Sequence, residues 1–304
     1  MLRGKEVAVI RSVGAAGPVK VMGLMAWMLR YDLLAMLIVA AVTVPLGDVV
    51  PAQALAPMLP LLGVAVSIFI GFRNSSAYGR WWEARNLWGT LSANCTALKN
   101  ALTALENSPG QMARAIDEML RRQVRHAWQL AAELRRVPAL PGVTDLTPED
   151  ARDATAASLL ARQAESVRNV MLAGLIDGQG RAILTNLNTA QSAAAAGLER
   201  IRNQPLPPPY TGFVRSLAWI FGVLVCLRLG SGAHDRLSGI IFGLLVTALF
   251  VLAERLGHFL ENPMSNTAVD LPLYRFCNRI TINLLGSGHP LAQPQESAKA
   301  TVWM

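Results

Sequence analysis

Charge is scarce in this chain. Of 304 residues only 16% are Asp, Glu, Lys or Arg, against about 25% in ordinary soluble domains. That excludes a disordered polypeptide, which stays unfolded through high charge and low hydrophobicity. Cysteine is scarcer still. Cys95, Cys226 and Cys277 stand far apart with no C-x-x-C pair, so neither a metal site nor a disulfide framework is indicated and the three read as core thiols. His126, His234, His258 and His289 are as scattered; none shares a helical face with a second ligand at i+3 or i+4, so no metal and no cofactor is expected. Strand-like alternation is missing over any length, which leaves an all-α chain. The opening MLRGKEVAVIRSVGAAGPVKV has charges on both sides of a very short apolar stretch. It is too short and interrupted for a signal-peptide core, so the N-terminus is expected to stay where it is made.

What is present is apolar length. Hydrophobic residues make up 52% and the mean hydropathy is +0.34, which fits a mixed membrane and aqueous protein. A span needs about 20 mostly apolar residues to cross roughly 30 Å of hydrocarbon. Four stretches qualify, over approximately 24–47, 54–79, 211–230 and 237–257. The first holds LLAMLIVAAVTVPLG, with Trp27 and Tyr31 as interface anchors; the second is uncharged from Val49 to Phe72. The third, SLAWIFGVLVCL, sits between Arg215 and Arg228 and needs YTGFV and arginine snorkelling to span. The fourth is LSGIIFGLLVTALFVLA.

The net charge of +8 raises the question of a nucleic-acid partner, but its location answers otherwise. The loop DVVPAQALAP has no Lys or Arg, whereas the N-terminus and the segment from Arg73 to Arg202 are basic. By the positive-inside rule both termini and the central segment are cytoplasmic. The loop RLGSGAHDR, with two arginines, argues weakly against its own outside placement. Helices over approximately 83–202 then form the inside region, followed by a tail over 258–304. Met112, Ile116, Met119, Val124, Ala127, Trp128 and Leu134 recur at helical spacing between Ser108-Pro109 and Val137-Pro138. Thr147-Pro148-Glu149-Asp150 reads as a second helix start. AILTNLNTAQSAAAAGLERI is Ala-rich and amphipathic, and PLPPPY forbids helix from Pro205 to Pro209.

One segment carries more identity than the rest. GFRNSSAYGRWWEARNLWG opens at Gly71 and packs Arg73, Arg80, Glu83, Arg85 and three tryptophans into the cytoplasmic end of the second span. It reads as a helix leaving the bilayer through a tryptophan belt, with Arg80 and Glu83 able to pair on one face and Glu83 and Arg85 with neighbouring helices.

SIFIGFRNSSAYGRWWEARNLWG resembles the signature of the bestrophin family in its bacterial form. GLERIRNQPLPPPYT resembles the family's segment before the third span, through Gly197, Glu199, Arg200, Pro205, Pro207 and Tyr210. ENPMSNTAVDLPLYRFCNRI resembles the segment after the fourth, through Glu261, Pro263, Asp270, Leu271, Pro272 and Leu273. The resemblance runs to about Leu285 and is loose in the first twenty residues and between about Ala113 and Gly180.

The resemblance implies one channel domain over 1–304, a homopentamer of four-span subunits around a central pore, in the bacterial inner membrane. The second span then lines a narrow neck at Val64, Ile68 and Phe72, spaced i, i+4 and i+8 as one helix face requires. Such apolar rings gate by dewetting. Gly63 and Gly71 flank them and permit close approach or bending. A second apolar ring is implied in the cytoplasmic vestibule; Ile183 is its expected residue, with Leu184 and Leu187 as alternatives. The cluster Arg80, Trp81, Trp82 and Glu83 is expected to be structural. Animal members bind Ca²⁺ through an acidic run after the fourth span, where this chain has NPMSNTAVDLP with Asp270 and the earlier Glu261, so no calcium clasp is expected.

The expected partners are small monovalent ions, membrane lipids and further copies of the chain, with no nucleic acid. Family membership implies anion permeation, chloride above all, while cation conduction stays open because some bacterial members show it. An enzyme or active transporter would call for intramembrane carboxylates, a phosphate loop or paired helix breaks, and Glu254 and Asp32 lie only at span ends. A scaffold without conductance, binding a partner through the Ala-rich helices, remains the alternative.

Overall fold

The structure is a computed structural model, describing residues 9–10, 23, 26, 29–46, 56–106, 110–230, 236–266, 270–292 and 302–303. Trp27, Ser108-Pro109 and most of both expected outside loops lie outside the described residues. The helices are α1 (Arg30–Leu46), α2 (Met58–Leu105), α3 (Ala113–Arg135), α4 (Ala156–Leu172), α5 (Gly178–Asn203), α6 (Pro208–Gly230), α7 (Arg236–Glu261) and α8 (Leu273–Leu285). A short 3-10 turn, Thr144–Leu146, precedes α4, and two-residue strands β1 (Val9–Ile10) and β2 (Val302–Trp303) complete the described elements.

Among the described residues, three helices are long and apolar enough to cross a membrane: α2, α6 over Pro208–Leu229 and α7 over Leu237–Glu261. The 17 residues of α1 span about 26 Å at 1.5 Å per residue, just under the hydrocarbon thickness. Two compact units divide the chain. One holds Ile10–Trp81 and Pro205–Pro263; the other holds Met1–Val9, Trp82–Gln204 and Met264–Met304.

In the first unit the core is Val66 and Ile70 of α2 against Val214, Ala218, Phe221 and Val225 of α6. Phe221 and Phe250 meet edge to face at 4.8 Å, and α1 packs on α6 and α7. Close approach of α6 and α7 depends on small residues. A Cβ on Gly222 would lie 2.4 Å from the Thr247 methyl, too near for any real contact. Gly63 likewise sits against the Phe221 ring, whereas Gly71 faces open space. PLPPPY does not exclude helix throughout: α6 starts at Pro208, because the first helical positions have no intrahelical N–H bond for proline to lose.

The second unit is built around α3, which is buried on nearly every side from Met119 to Arg135, the arginines 122, 125 and 135 included, while Ile116 of the expected apolar face is half-buried. Trp128 Nε1 donates to Thr281 Oγ1 at 3.0 Å, the Cys277 thiol donates to the Ala127 carbonyl, and Trp88 packs on Phe276. All three cysteines are buried free thiols. The helix start read at Thr147 is not formed; α4 begins at Ala156, where Thr155 Oγ1 accepts from Ser158 N. Thr147 is occupied elsewhere. Its hydroxyl and carbonyl accept from Arg125 Nη1 at 2.8 and 3.1 Å, while Ala151 O accepts from Nη2. Asp150 accepts from Arg122 Nε at 2.7 Å. Both arginines are buried, and leaving a buried guanidinium unsatisfied costs more than the ~1 kcal/mol of a helix cap.

His126 lies in the same core, fully enclosed, and burial lowers its pKa to about 4 from 6.5. Because the folded pKa is the lower one, the unfolded chain takes up the proton first as pH falls. Stability is therefore complete above about pH 6.5 and declines down to about pH 4, by about 3 kcal/mol in all. The carboxyl of Asp150, raised by burial but lowered further by its hydrogen bond and charge pairing with Arg122, loses stability only in a more acidic window. Thermal unfolding in detergent should show a clear drop between about pH 7 and pH 5. His126→Gln should flatten that drop, and a variant with the same drop would assign it to another group.

Candidate pore face and its anchors

Val64, Ile68 and Phe72 fall on one face of α2 and are the exposed side of that helix, at 61%, 51% and 65% exposure. The opposite face, Val66, Ile70, Arg73 and Ala77, is buried. Over eight residues the exposed trio covers about 12 Å of helix axis. Among the described residues, one copy of the chain thus leaves three large apolar side chains in a row more than half exposed.

The helix is held in that orientation by charge. Arg73 is 0% exposed and its Nη1 donates to both the side-chain Oε1 and the backbone carbonyl of Glu254, at 2.7 and 3.0 Å. Its Nη2 reaches Glu261 Oε2 at 3.4 Å. Next to it Asn74 Nδ2 donates to Ala253 O at 2.9 Å, and Arg80 Nε donates to Glu261 O at 3.2 Å. A second cluster ties α1 in: Asp32, buried, accepts from Arg255 Nε and Nη2, both at 2.8 Å, and from Arg215 at 3.5 Å. Asp32, Glu254 and Glu261 are thus buried carboxylates, each answered by arginine. The sequence signal for this was available: a charge inside or at the end of an apolar run must find an opposite charge on another run.

Of the expected structural cluster, Trp81 stacks on Tyr78 with ring centroids 6.1 Å apart, and Trp82 is exposed. Glu83 pairs with Arg200 of α5. Both side chains of that pair are about half exposed, so solvent screens it to no more than about 1 kcal/mol.

The three residues expected at the second constriction differ in burial. Ile183, in the second turn of α5, is 45% exposed, whereas Leu184 is fully buried, so Leu184 is removed as an alternative: it packs inside its own subunit. Leu187 is half-buried. The turn before Ile183 is fixed by Asp177, whose Oδ1 accepts from Gly180 N at 2.7 Å. Within the second unit, one exposed face of α2 carries Asn86, Thr90, Ala93 and Asn100 at i, i+4, i+7 and i+14, a spacing that keeps all four on the same side of the helix. The exposed residues of α5 between Arg181 and Glu199 are likewise uncharged: Ile183, Thr185, Asn186, Thr189, Ser192 and the alanines 182, 193 and 196.

Residues 19–286 match the family described as bacterial/fungal bestrophin protein. The voltage-dependent anion channel-forming protein YneE of Salmonella typhi is 32% identical over 246 residues, 76% of this chain and 76% of that protein. A voltage-dependent anion channel-forming protein of Mesorhizobium japonicum is 33% identical over 248 residues, covering 78% and 77%. The crystal structure of a bacterial bestrophin homologue from Klebsiella pneumoniae aligns with a TM-score of 0.77 at 25% identity, over 86% of this chain and 100% of that one. The apolar helices and these matches together make this a membrane protein, and the chain belongs to the bacterial and fungal bestrophin family.

Proposed function

We propose that the chain forms a homopentameric channel that passes small monovalent ions, anions in particular, passively across the bacterial inner membrane. Four spans per subunit, with both termini and the central helices cytoplasmic, complete the reading, and no enzymatic step is part of it. The observation that carries it is the exposed apolar row Val64, Ile68 and Phe72 on a helix whose opposite face is buried and ion-paired. Five such rows around an axis would make stacked apolar rings, which expel water and ions until they widen or a field drives ions through. Named relatives support the anion assignment, since they are described as voltage-dependent anion channel-forming proteins. Flux into liposomes from purified protein tests conduction itself, and an oligomer that moves no ions would favour the scaffold.

Replacing Ile68 or Phe72 by Ala should raise unitary conductance in planar bilayers, because a shorter apolar ring is wider and wetter. Intact oligomers with unchanged currents in both variants would remove these residues from the path.

Ile183 is assigned to the vestibule constriction. Its exposure, beside a buried Leu184, leaves it available to an axis. Ile183→Cys should place thiols around a narrow axis, where they crosslink or bind Cd²⁺ and block current, and indifference to both treatments would place Ile183 elsewhere.

The uncharged face of α2 that holds Asn86, Thr90 and Asn100 is assigned to the vestibule wall. A carboxamide offers N–H to anions and C=O to cations, so it discriminates charge weakly. Asn86→Asp should shift the reversal potential in asymmetric NaCl toward cations and Asn86→Lys toward anions. Identical reversal potentials in both would take that face out of the ion path.

A further inference from the structure

The neck face and the buried arginine are neighbours in sequence, and that adjacency has a mechanical meaning. Consecutive residues on an α-helix point about 100° apart. Phe72 leaves the subunit surface while Arg73 enters the interior, where no solvent reaches its guanidinium. Wherever Arg73 is fixed, the direction of Phe72 is fixed with it.

Arg73 is fixed unusually tightly. On α2 the contact residues are Arg73, Asn74 and Arg80; on α7 they are Ala253, Glu254, Gly257 and Glu261. Three α2 side chains donate to α7 backbone carbonyls, those of Ala253, Glu254 and Glu261. Gly257 lets the helices meet: a Cβ there would lie 2.1 Å from Asn74 Oδ1. Main-chain acceptors cannot swing away as side chains do, so the seam sets the rotation and the height of α2 against α7. Apolar packing alone would tolerate a slide or a small twist, whereas a buried ion pair off its partner leaves an uncompensated charge.

We propose that Arg73, held by Glu254 and Glu261, is a positioning residue for the neck, setting the aim of Phe72 and coupling the neck aperture to movement of α7. This rests on the reading of Phe72 as a neck residue. Any displacement of α7 near Glu254 is then passed to the aromatic ring through two hydrogen-bonded helices, with no ion ever touching Arg73.

The test is a double-mutant cycle recorded on the full-length oligomer in planar bilayers. Glu261→Gln removes the charge from the longer arm of the latch, and Arg73→Lys keeps the charge but loses the two-armed grip. Each should change unitary conductance or open probability by about two-fold or more in the otherwise unchanged channel, and by far less in a Phe72→Ala background, where no ring is left to misaim. An equal change in both backgrounds shows that the latch acts by another route and overturns the proposal, as does no change in assembled oligomers. If Phe72→Ala by itself leaves the current untouched, the neck reading falls, and the positioning role falls with it. Should the charge variants fail to assemble, Asn74→Ala, which removes one neutral bond of the same seam, carries the same cycle with the same deciding outcomes.

Discussion

A guanidinium taken wholly out of water is the constraint around which the membrane-spanning unit is arranged. The effective penalty of burying one ion is several kcal/mol, and Arg73 bears it at zero exposure. Only close carboxylates and carbonyls compensate, so α7 must present Glu254 and Glu261 to α2 and stay there. Glu254 is followed directly by Arg255, which turns to the other side of α7 and grips Asp32 with two nitrogens at 2.8 Å. One dipeptide on α7 thereby joins α2 to one side and α1 to the other. Leucine and valine contacts between these helices supply area, but lipid tails offer nearly the same contact. The ionic joints supply uniqueness.

The second unit uses the same residue type in a different way. Arg122 and Arg125 of α3 are buried among the carbonyls and side chains of the segment 147–152, so they organise a loop, and Arg122 Nη1 also donates to Ser166 Oγ of α4 at 2.8 Å. Arg135 does likewise at the end of α3, donating to Leu271 O and lying over the Tyr274 ring at 4.7 Å. Five donors in a planar fork make arginine suited to collecting several acceptors that would otherwise be orphaned.

Much of this was legible from the chain. The apolar start of α2 and helices α6 and α7 follow from uncharged length, but that α2 runs on unbroken to Leu105 through Arg73, Arg80, Glu83 and Arg85 does not. Helical spacing finds the apolar residues of α3 but not the arginines buried with them, and the i, i+4, i+8 interval puts Val64, Ile68 and Phe72 on one face. What escaped depends on pairing across long separations. Nothing local says that Arg73 meets residues 181 and 188 positions later, and Glu254, read at the end of a span, turned out to be the anchor of another. Thr147-Pro148-Glu149-Asp150 carried every local mark of a helix start and was overridden by two arginines from α3. Leu184 and Ile183 are indistinguishable by hydropathy, and only the packing of α5 tells the buried one from the exposed one.

Charge placement ties these points to the proposed permeation path. The buried acids Asp32, Glu254 and Glu261 are each paired with arginine, while the exposed faces of α2 and α5 that hold Asn86, Thr90, Thr185 and Asn186 offer amides, hydroxyls and alanine. A vestibule wall so built would neither repel ions of one sign nor trap them, because a neutral amide or hydroxyl holds an ion only weakly. An apolar neck would then be the dominant barrier, its height depending on the diameter left between aromatic and aliphatic side chains. That diameter is in turn a matter of how α2 is rotated. The net charge of +8 therefore says little about selectivity, and the proposed hold of a buried arginine on the residue before it bears on how wide the neck is, not on which sign of ion passes.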